Sequence, residues 1–428
     1  MLATHRHALT LRRRAHRAGA TVWDVLAATA CTAIALSLVV PVLAGARGGS
    51  MVAASLDNLR ALGTGHVLYA ASSNGRQLTV VPDELGAYGD DAGAAFSAYQ
   101  SKQQSLRGII LGWGPAGGGI VLFEYRPQSN IANARLLEPF VFNGTNFEVN
   151  GRFGAFRLAN CRQFNQYVGS KFYNPVFYAP TDPVIDPLVD PLLQSPFEYE
   201  QLEPMKGINR STPIWSSYIM SPAAMFDPSV LERRGPAPNQ GGWRDPYSFA
   251  DGFRSPSLFH AQYSNLKTLM IEHHWLQNAP ADTCNPGIPN GPYFGCEPYY
   301  FNHSSESEPA TVFYDGSTRL LPTDEAVASD LLLLNQTGGF DGTWSRDTPL
   351  GEDGYFSDLS ADGVRVSHHI LTADGILGRD TIFANGLAAD AGAARAGNAT
   401  DRSLRRTGHL GGHAPSAPGH TTAFDPLN

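Results

Sequence analysis

The sequence has few charged residues, few cysteines and none of the common short motifs of enzymes. It lacks a Gly-x-Ser-x-Gly nucleophile motif, a phosphate-binding Gly-x-x-x-x-Gly-Lys-Ser/Thr motif, a His-Glu-x-x-His zinc motif and a dinucleotide-binding glycine pattern. Only 16% of the 428 residues are charged, whereas glycine occurs 44 times and proline 30 times. This composition predicts a loop-rich β domain rather than a helical bundle, and we expect a protein that is not an enzyme.

Charge is absent from one long segment near the N-terminus. Val25 to Ala44 contains 20 uncharged residues, which as a helix span about 30 Å, the thickness of a bilayer core. The first 19 residues contain no acid and carry five arginines, namely Arg6, Arg12, Arg13, Arg14 and Arg17. The positive-inside rule then predicts a single-pass inner-membrane protein with a cytoplasmic N-terminus and an extracytoplasmic globular domain.

A cleaved secretory signal is the alternative interpretation of this segment. Val42 to Ala46 has small residues at the spacing of a cleavage site. Against it, the apolar core is long for a signal peptide, and Asp24 at its cytoplasmic edge would hinder insertion without helping cleavage.

The order of residues around Asp24 resembles the leader of type IV prepilins and type II secretion pseudopilins. A basic leader ends at Gly19, Ala20 begins the next segment, and Asp24 is the fifth residue after Gly19. The resemblance implies that a prepilin peptidase cuts between Gly19 and Ala20, and that the new N-terminus is methylated. It also implies that Asp24 pairs with the terminal amine of a neighbouring subunit. The chain departs from the family in having Ala20 rather than Phe and Asp24 rather than Glu.

An amphipathic helix is predicted to continue from the apolar run to about Ala71. Residues 51–76 place apolar side chains at helical spacing, namely Val52, Leu56, Leu59, Leu62 and Val67. Gly63 and Gly65 lower the intrinsic stability of this helix, so packing must hold it. The stretch from Ser55 to Leu62, with Asn74-Gly75-Arg76 after it, is also similar to the planctomycete-type pilin-like family.

The charge of the exported part argues against one class of partner. Without the leader, residues 20–428 hold 26 basic and 39 acidic residues, a net charge of -13. Such a chain repels phosphates, so we expect no nucleic-acid binding.

Four cysteines are present, and Cys31 lies in the apolar run. Cys284 and Cys296 are twelve residues apart in a loop rich in proline, glycine and asparagine, which suits a disulfide in an oxidising compartment. Cys161 would then be left free. A metal site is the weaker interpretation, because no Cys-x-x-Cys spacing accompanies these cysteines.

The expected fold is α+β, with the long N-terminal helix packed on an antiparallel sheet. We predict a leader over 1–19, the helix over 20–75, a β-rich domain over 76–385 and a disordered tail over 386–428. Strands are predicted within 107–126, 136–160, 211–220, 266–272 and 311–321, and one carrying His368 and His369 within 364–371. Seven prolines between residues 172 and 204 predict that no regular element crosses that part of an irregular insertion over about 172–265.

Asp315-Gly316 between two apolar runs predicts a hairpin turn. With His303 upstream, it resembles the "H…DG" signature of the same pilin-like family, although the spacing from His to Asp is longer here. The alternative is a catalytic or metal-binding His and Asp pair. The turn explains the residues better, because no paired ligand spacing is present.

Acidic residues among glycines follow this hairpin. Hard oxygen ligands on loops suit calcium, and the resemblance to pseudopilins, some of which bind calcium, points the same way; the candidate ligands are Asp341, Asp347, Glu352 and Asp353. Solvated turns are the alternative interpretation, since the spacing is not that of an EF-hand. No other cofactor is indicated.

Together these patterns predict a non-enzymatic pilin-like or pseudopilin-like subunit that assembles in a type II secretion or type IV pilus-like system. Its expected partners are the inner membrane, a prepilin peptidase and other pilin-like subunits. The alternative is an exported enzyme or carbohydrate-binding module that uses the apolar helix only as a tether.

Overall fold

The computed structural model describes the central part of the chain in segments. The described residues are 48–78, 88–91, 94–95, 97–98, 101, 109–125, 141–142, 153–154, 156, 158–182, 185–200, 216–237, 240–249, 251–252, 254–272, 274–275, 302–303, 307–348 and 368–382. The predicted leader, the apolar run over 25–44 and the tail over 386–428 lie outside them. Within the described part, no helix is both long and apolar enough to cross a bilayer.

The described chain mixes helices with antiparallel sheets, which confirms the α+β class. The helices are α1 over 48–72, α2 (Arg162–Asn165), α3 (Ile185–Leu193) and α4 (Thr323–Gln336). The first seven strands are β1 (Ile109–Ala116), β2 (Gly119–Tyr125), β3 (Val141–Phe142), β4 (Phe153–Gly154), β5 (Tyr218–Met220), β6 (Leu231–Glu232) and β7 (Gly242–Trp243). The remaining five are β8 (Thr268–Glu272), β9 (His274–Trp275), β10 (Asn302–His303), β11 (Ala310–Phe313) and β12 (Thr318–Leu320).

The core is built on a four-stranded sheet of order β12-β11-β8-β5, in which every neighbouring pair is antiparallel. Ile219 pairs with Ile271, which in turn pairs with Thr311. All residues of β5, β8 and β11 are buried, so both faces of the sheet are covered. Predicted strands at 107–126, 136–160 and 266–272 are confirmed by β1 to β4 and by β8.

Helix α1 packs against this sheet. Leu59, Leu62 and Ala70 are fully buried in the core, and the helix ends at residue 72, as predicted. The predicted apolar face is wrong at one position, because Val67 is 47% exposed whereas His66 is buried. Helical spacing allows either His66 or Val67 to face the core after Leu62. The packing of His66 on a neighbouring ring decides which of the two is buried.

The prediction that no regular element crosses the proline-rich segment is wrong. Helix α3 runs from Ile185 to Leu193 with Pro191 inside it. Pro187 falls in the first turn, where a backbone N–H has no partner within the helix, so its absence costs little. Only Pro191 removes a helical hydrogen bond.

Two further elements differ from the sequence-based expectation. Helix α4 was not predicted, although Asp324 and Glu325 in its first turn and Gly338 after its end are ordinary helix-boundary signals. His368 and His369 lie in a turn, not in a strand, and both are buried. The strand predicted within 364–371 is therefore wrong at these two positions.

Candidate functional site

The junction between α1 and the sheet is held by buried polar groups. Ser55 on α1 donates a hydrogen bond to Glu272 Oε1, and its oxygen lies 2.8 Å from the hydroxyl of Tyr218. Glu272 Oε2 accepts the backbone N–H of Ala310 at 2.8 Å. Burial raises the pKa of Tyr218, so this hydroxyl stays protonated. The cluster connects the helix to strands β5, β8 and β11 at once, and it fixes the rotation of the helix.

Residues 158–182 cover the part of α1 that lies beside this cluster. Asn58 Nδ2 donates to the carbonyl oxygens of Pro175 and Tyr178, at 3.3 and 3.2 Å. The ring of His66 lies 4.3 Å from that of Phe164. The buried face of the described helix therefore contacts both the sheet and this segment.

Burial makes His66 a source of acid sensitivity. Desolvation lowers the pKa of His66 to about 4, although a hydrogen bond to the Leu62 carbonyl opposes the shift. In the unfolded chain the same imidazole titrates near 6.5. As the pH falls from 6.5 towards 4, the unfolded chain gains a proton that the folded chain does not, so the folded state loses stability.

We therefore expect the free energy of unfolding to fall by about 1–2 kcal/mol from this residue between pH 6.5 and about 5. In His66→Leu this part of the pH dependence disappears, whereas His260→Gln, at an exposed position, leaves it unchanged. Urea unfolding across this pH range measures the difference. Equal pH slopes in His66→Leu and the original chain would contradict the assignment.

The predicted Asp315-Gly316 hairpin is confirmed. It joins β11 to β12, Gly316 has a φ of +82°, and Asp315 Oδ1 accepts the Ser317 backbone N–H at 2.9 Å. His303 lies in β10, which pairs in parallel with β9. The turn geometry accounts for Asp315 and Gly316 without a metal or a catalytic partner.

Two of the predicted calcium ligands lie in the described part of the chain. Asp341 is fully buried and accepts the backbone N–H of Arg234 at 2.7 Å and its Nε at 3.2 Å. Asp347 accepts the Trp243 N–H at 2.9 Å and the Ser345 hydroxyl at 2.8 Å. Among described residues, no group of three or more histidine, cysteine or acidic side chains is placed to hold a metal. Glu352 and Asp353 lie outside those residues, so the calcium site stays a prediction.

Of the remaining residues singled out in the sequence, Cys161 lies in the described part of the chain. Cys161 is buried and free, as expected, and burial raises its pKa to about 12, so the thiol is unreactive at neutral pH. The predicted processing and assembly residues and the predicted disulfide lie outside the described residues, namely Gly19, Ala20, Asp24, Cys284 and Cys296.

A buried cluster missed by sequence reasoning surrounds Lys267. Its Nζ lies 2.9 Å from Ser221 Oγ and 2.9 Å from Asp380 Oδ2. A serine beside a lysine can serve as a nucleophile and base. Here both side chains are buried, with 1% and 0% exposed, so no external substrate reaches them. Nothing in the local sequence links residues so far apart.

A cavity of about 430 Å³ opens beside residues 374–379. Its lining includes Glu232, Arg233, Tyr263, Asp374 and Arg379. Arg233 is held by Asp374 through an Nε to Oδ2 contact of 3.2 Å, and Arg379 lies 4.9 Å over the ring of Tyr263. This described lining offers hydrogen-bond donors, acceptors and an aromatic ring, so it suits binding of a polar ligand.

Comparison of the chain with known protein families, with curated proteins and with solved structures finds no match.

Proposed function

We propose that this protein is a non-enzymatic pilin-like or pseudopilin-like subunit, anchored by residues 25–44 in the inner membrane. The observation that carries the proposal is the packing of α1 along a four-stranded antiparallel sheet of order β12-β11-β8-β5. This is the arrangement that the resemblance of the leader implies. The globular domain then stands on the extracytoplasmic side, with α1 continuing the membrane helix.

The rigid attachment of α1 supports this role. In a subunit that assembles through its N-terminal helix, the helix must transmit its position to the globular domain. Ser55 and Asn58 connect it to β5, β8 and residues 175–178. A helix used only as a tether would not need such contacts.

Processing of the leader tests the proposal. Substitution of Gly19, for example Gly19→Leu, is expected to leave the full leader on the membrane-extracted protein, because the peptidase cuts after that glycine. Asp24→Ala is expected to be cut normally but to assemble poorly, since the terminal amine of the neighbouring subunit loses its acidic partner. Intact mass and chemical cross-linking in membranes measure the two steps. If the original chain and Gly19→Leu both keep the full leader, so that their masses differ only by the substitution, the result would favour a tether.

A carbohydrate-binding module remains the second candidate, and the polar cavity is the observation that supports it. Planar and charged side chains beside Tyr263 are groups that hydrogen-bond and stack on a sugar. Calorimetric titration with oligosaccharides distinguishes the candidates. Binding that is lost in Tyr263→Ala, together with an unprocessed leader, would replace the pilin-like proposal.

A further inference from the structure

The side chains of Lys267 and Asp380 face each other in a fully enclosed part of the core. Both side chains are 0% exposed, and Nζ lies 2.9 Å from Oδ2 and 3.2 Å from Oδ1. Lys267 immediately precedes β8, whereas Asp380 lies in the segment 368–382 near the end of the described chain. The contact therefore connects the central sheet to a segment 113 residues further along the chain.

Both oxygens lie close to the same nitrogen, so the carboxyl carbon is close as well. With ordinary carboxylate geometry, the two distances place Nζ about 3 to 3.5 Å from Cγ, which is the separation of a near-attack arrangement. Reactants that are held at this separation with aligned orbitals react as fast as they would at concentrations far above those reached in solution.

Three neighbouring groups support amide formation at this carbon. Ser221 Oγ accepts a hydrogen bond from Nζ at 2.9 Å and orients the amine. The backbone N–H of Thr268 donates to Oδ2 at 2.8 Å, where negative charge develops on attack. Thr372 Oγ1 lies 2.7 Å from Nζ and 2.6 Å from Oδ1, so its hydroxyl bridges the nucleophile and the leaving oxygen.

We propose that Lys267 and Asp380 become joined by an intramolecular amide bond after folding. The pair first exchanges its proton, giving a neutral amine and a neutral carboxylic acid. Nζ then forms a bond to Cγ, and a proton passes from Nζ through the Thr372 hydroxyl to Oδ1. The bond from Cγ to Oδ1 breaks, and this oxygen leaves as one water molecule. No oxidant, metal or other reactant is needed.

The surroundings favour the neutral amine and the neutral carboxylic acid over the charged pair. Burial lowers the pKa of Lys267, opposed by the charge and the hydrogen bond of Asp380, so the neutral amine is more accessible than in water. His368, whose pKa burial and Lys267 lower to about 3, is neutral beside the pair and adds no opposing charge at neutral pH. Because the site is dry, the amide is also protected from hydrolysis. The inference is independent of the proposed function.

Mass spectrometry of the purified full chain tests the amide directly. After reduction of disulfides and digestion, the fragments that contain Lys267 and Asp380 are expected as one branched peptide, lighter than their sum by about 18 Da, the mass of one water. The same deficit is expected in the intact mass, and it should persist in denaturant. Recovery of two separate unmodified fragments would overturn the proposal.

The role of Thr372 has its own test. Thr372→Val removes the hydroxyl that bridges Nζ and Oδ1, and it is expected to slow linkage by about 100-fold, because a positioned proton relay is lost. Thr311→Val makes the same change at another fully buried position and is the matched control, with normal linkage expected. Linkage in folded Thr372→Val at the same rate as in the original chain would show that this hydroxyl is not the relay.

Discussion

In Lys267→Met, we expect the free energy of unfolding to fall by about 3–5 kcal/mol, the usual loss when one partner of a buried ion pair is removed. The substitution keeps most of the side-chain volume but leaves the carboxyl group of Asp380 enclosed without the amine. Chemical denaturation at neutral pH measures the loss. The same loss of stability is expected whether the two side chains form an ion pair or an amide. The variant therefore tests how much the contact stabilises the protein, and it does not test the covalent bond.

A double-mutant cycle separates the pair from its surroundings. Lys267→Met combined with Asp380→Leu is expected to be less destabilised than the two single variants together, by about 2–3 kcal/mol, because no group is left without its partner. Asp251→Asn is the matched control. It breaks an exposed pair with Arg254, whose side chains are 55% and 59% exposed, and should cost less than about 1 kcal/mol. Additive single effects would contradict a coupled pair.

Gly65→Ala is the second substitution with a large expected effect. A methyl group at this position would lie 2.3 Å from Val168 Cγ1 and 3.2 Å from the ring of Phe164. Replacing glycine by alanine inside a helix normally stabilises it by about 1 kcal/mol. Here the overlap forces α1 away from residues 164–168. We therefore expect the free energy of unfolding to fall by a net amount of about 1–3 kcal/mol, near the upper end of that range.

Gly49→Ala provides the matched control on the same helix. No atom lies within 4 Å of a methyl group built at Gly49, so only the helix propensity changes. We expect Gly49→Ala to be neutral or stabilising by up to about 1 kcal/mol. Thermal melting of both variants gives the comparison. If Gly65→Ala also stabilises the protein, α1 does not pack against residues 164–168 as described.

Local signals in the sequence predict the elements that they directly control. Asp315-Gly316 specifies its own turn, because a positive φ is required at Gly316 and the Asp315 side chain caps the backbone. The spacing of Leu59 and Leu62 predicts the buried face of α1, whereas the choice between His66 and Val67 depends on a ring from another segment.

The candidate sites depend on contacts that no local pattern contains. Glu272 meets Ser55 across 217 positions, and Lys267 meets Asp380 only after the sheet and the C-terminal segment have folded together. From sequence alone, a lysine or a glutamate in or beside a strand is expected to face solvent, until the element that covers it is known. The elements that cover both faces of β8 therefore decide that its polar side chains become buried.

The disulfide between Cys284 and Cys296 and the calcium site stay predictions, and each has a simple test. Mass mapping without reduction detects the disulfide, and two free thiols would remove it. Calcium titration that leaves the melting temperature unchanged would remove the ion site. Both tests apply to residues 76–385 whichever function the protein has.

The N-terminal residue of the protein extracted from membranes tests the central claim most directly. The account predicts a peptide that begins with N-methylated Ala20, with Asp24 as its fifth residue, because cleavage after Gly19 precedes assembly. Mass spectrometry of the N-terminal peptide identifies it without any variant. A chain that begins at Met1, or one that begins near Gly45, would contradict the pilin-like account and leave the apolar segment as a tether or a cleaved signal.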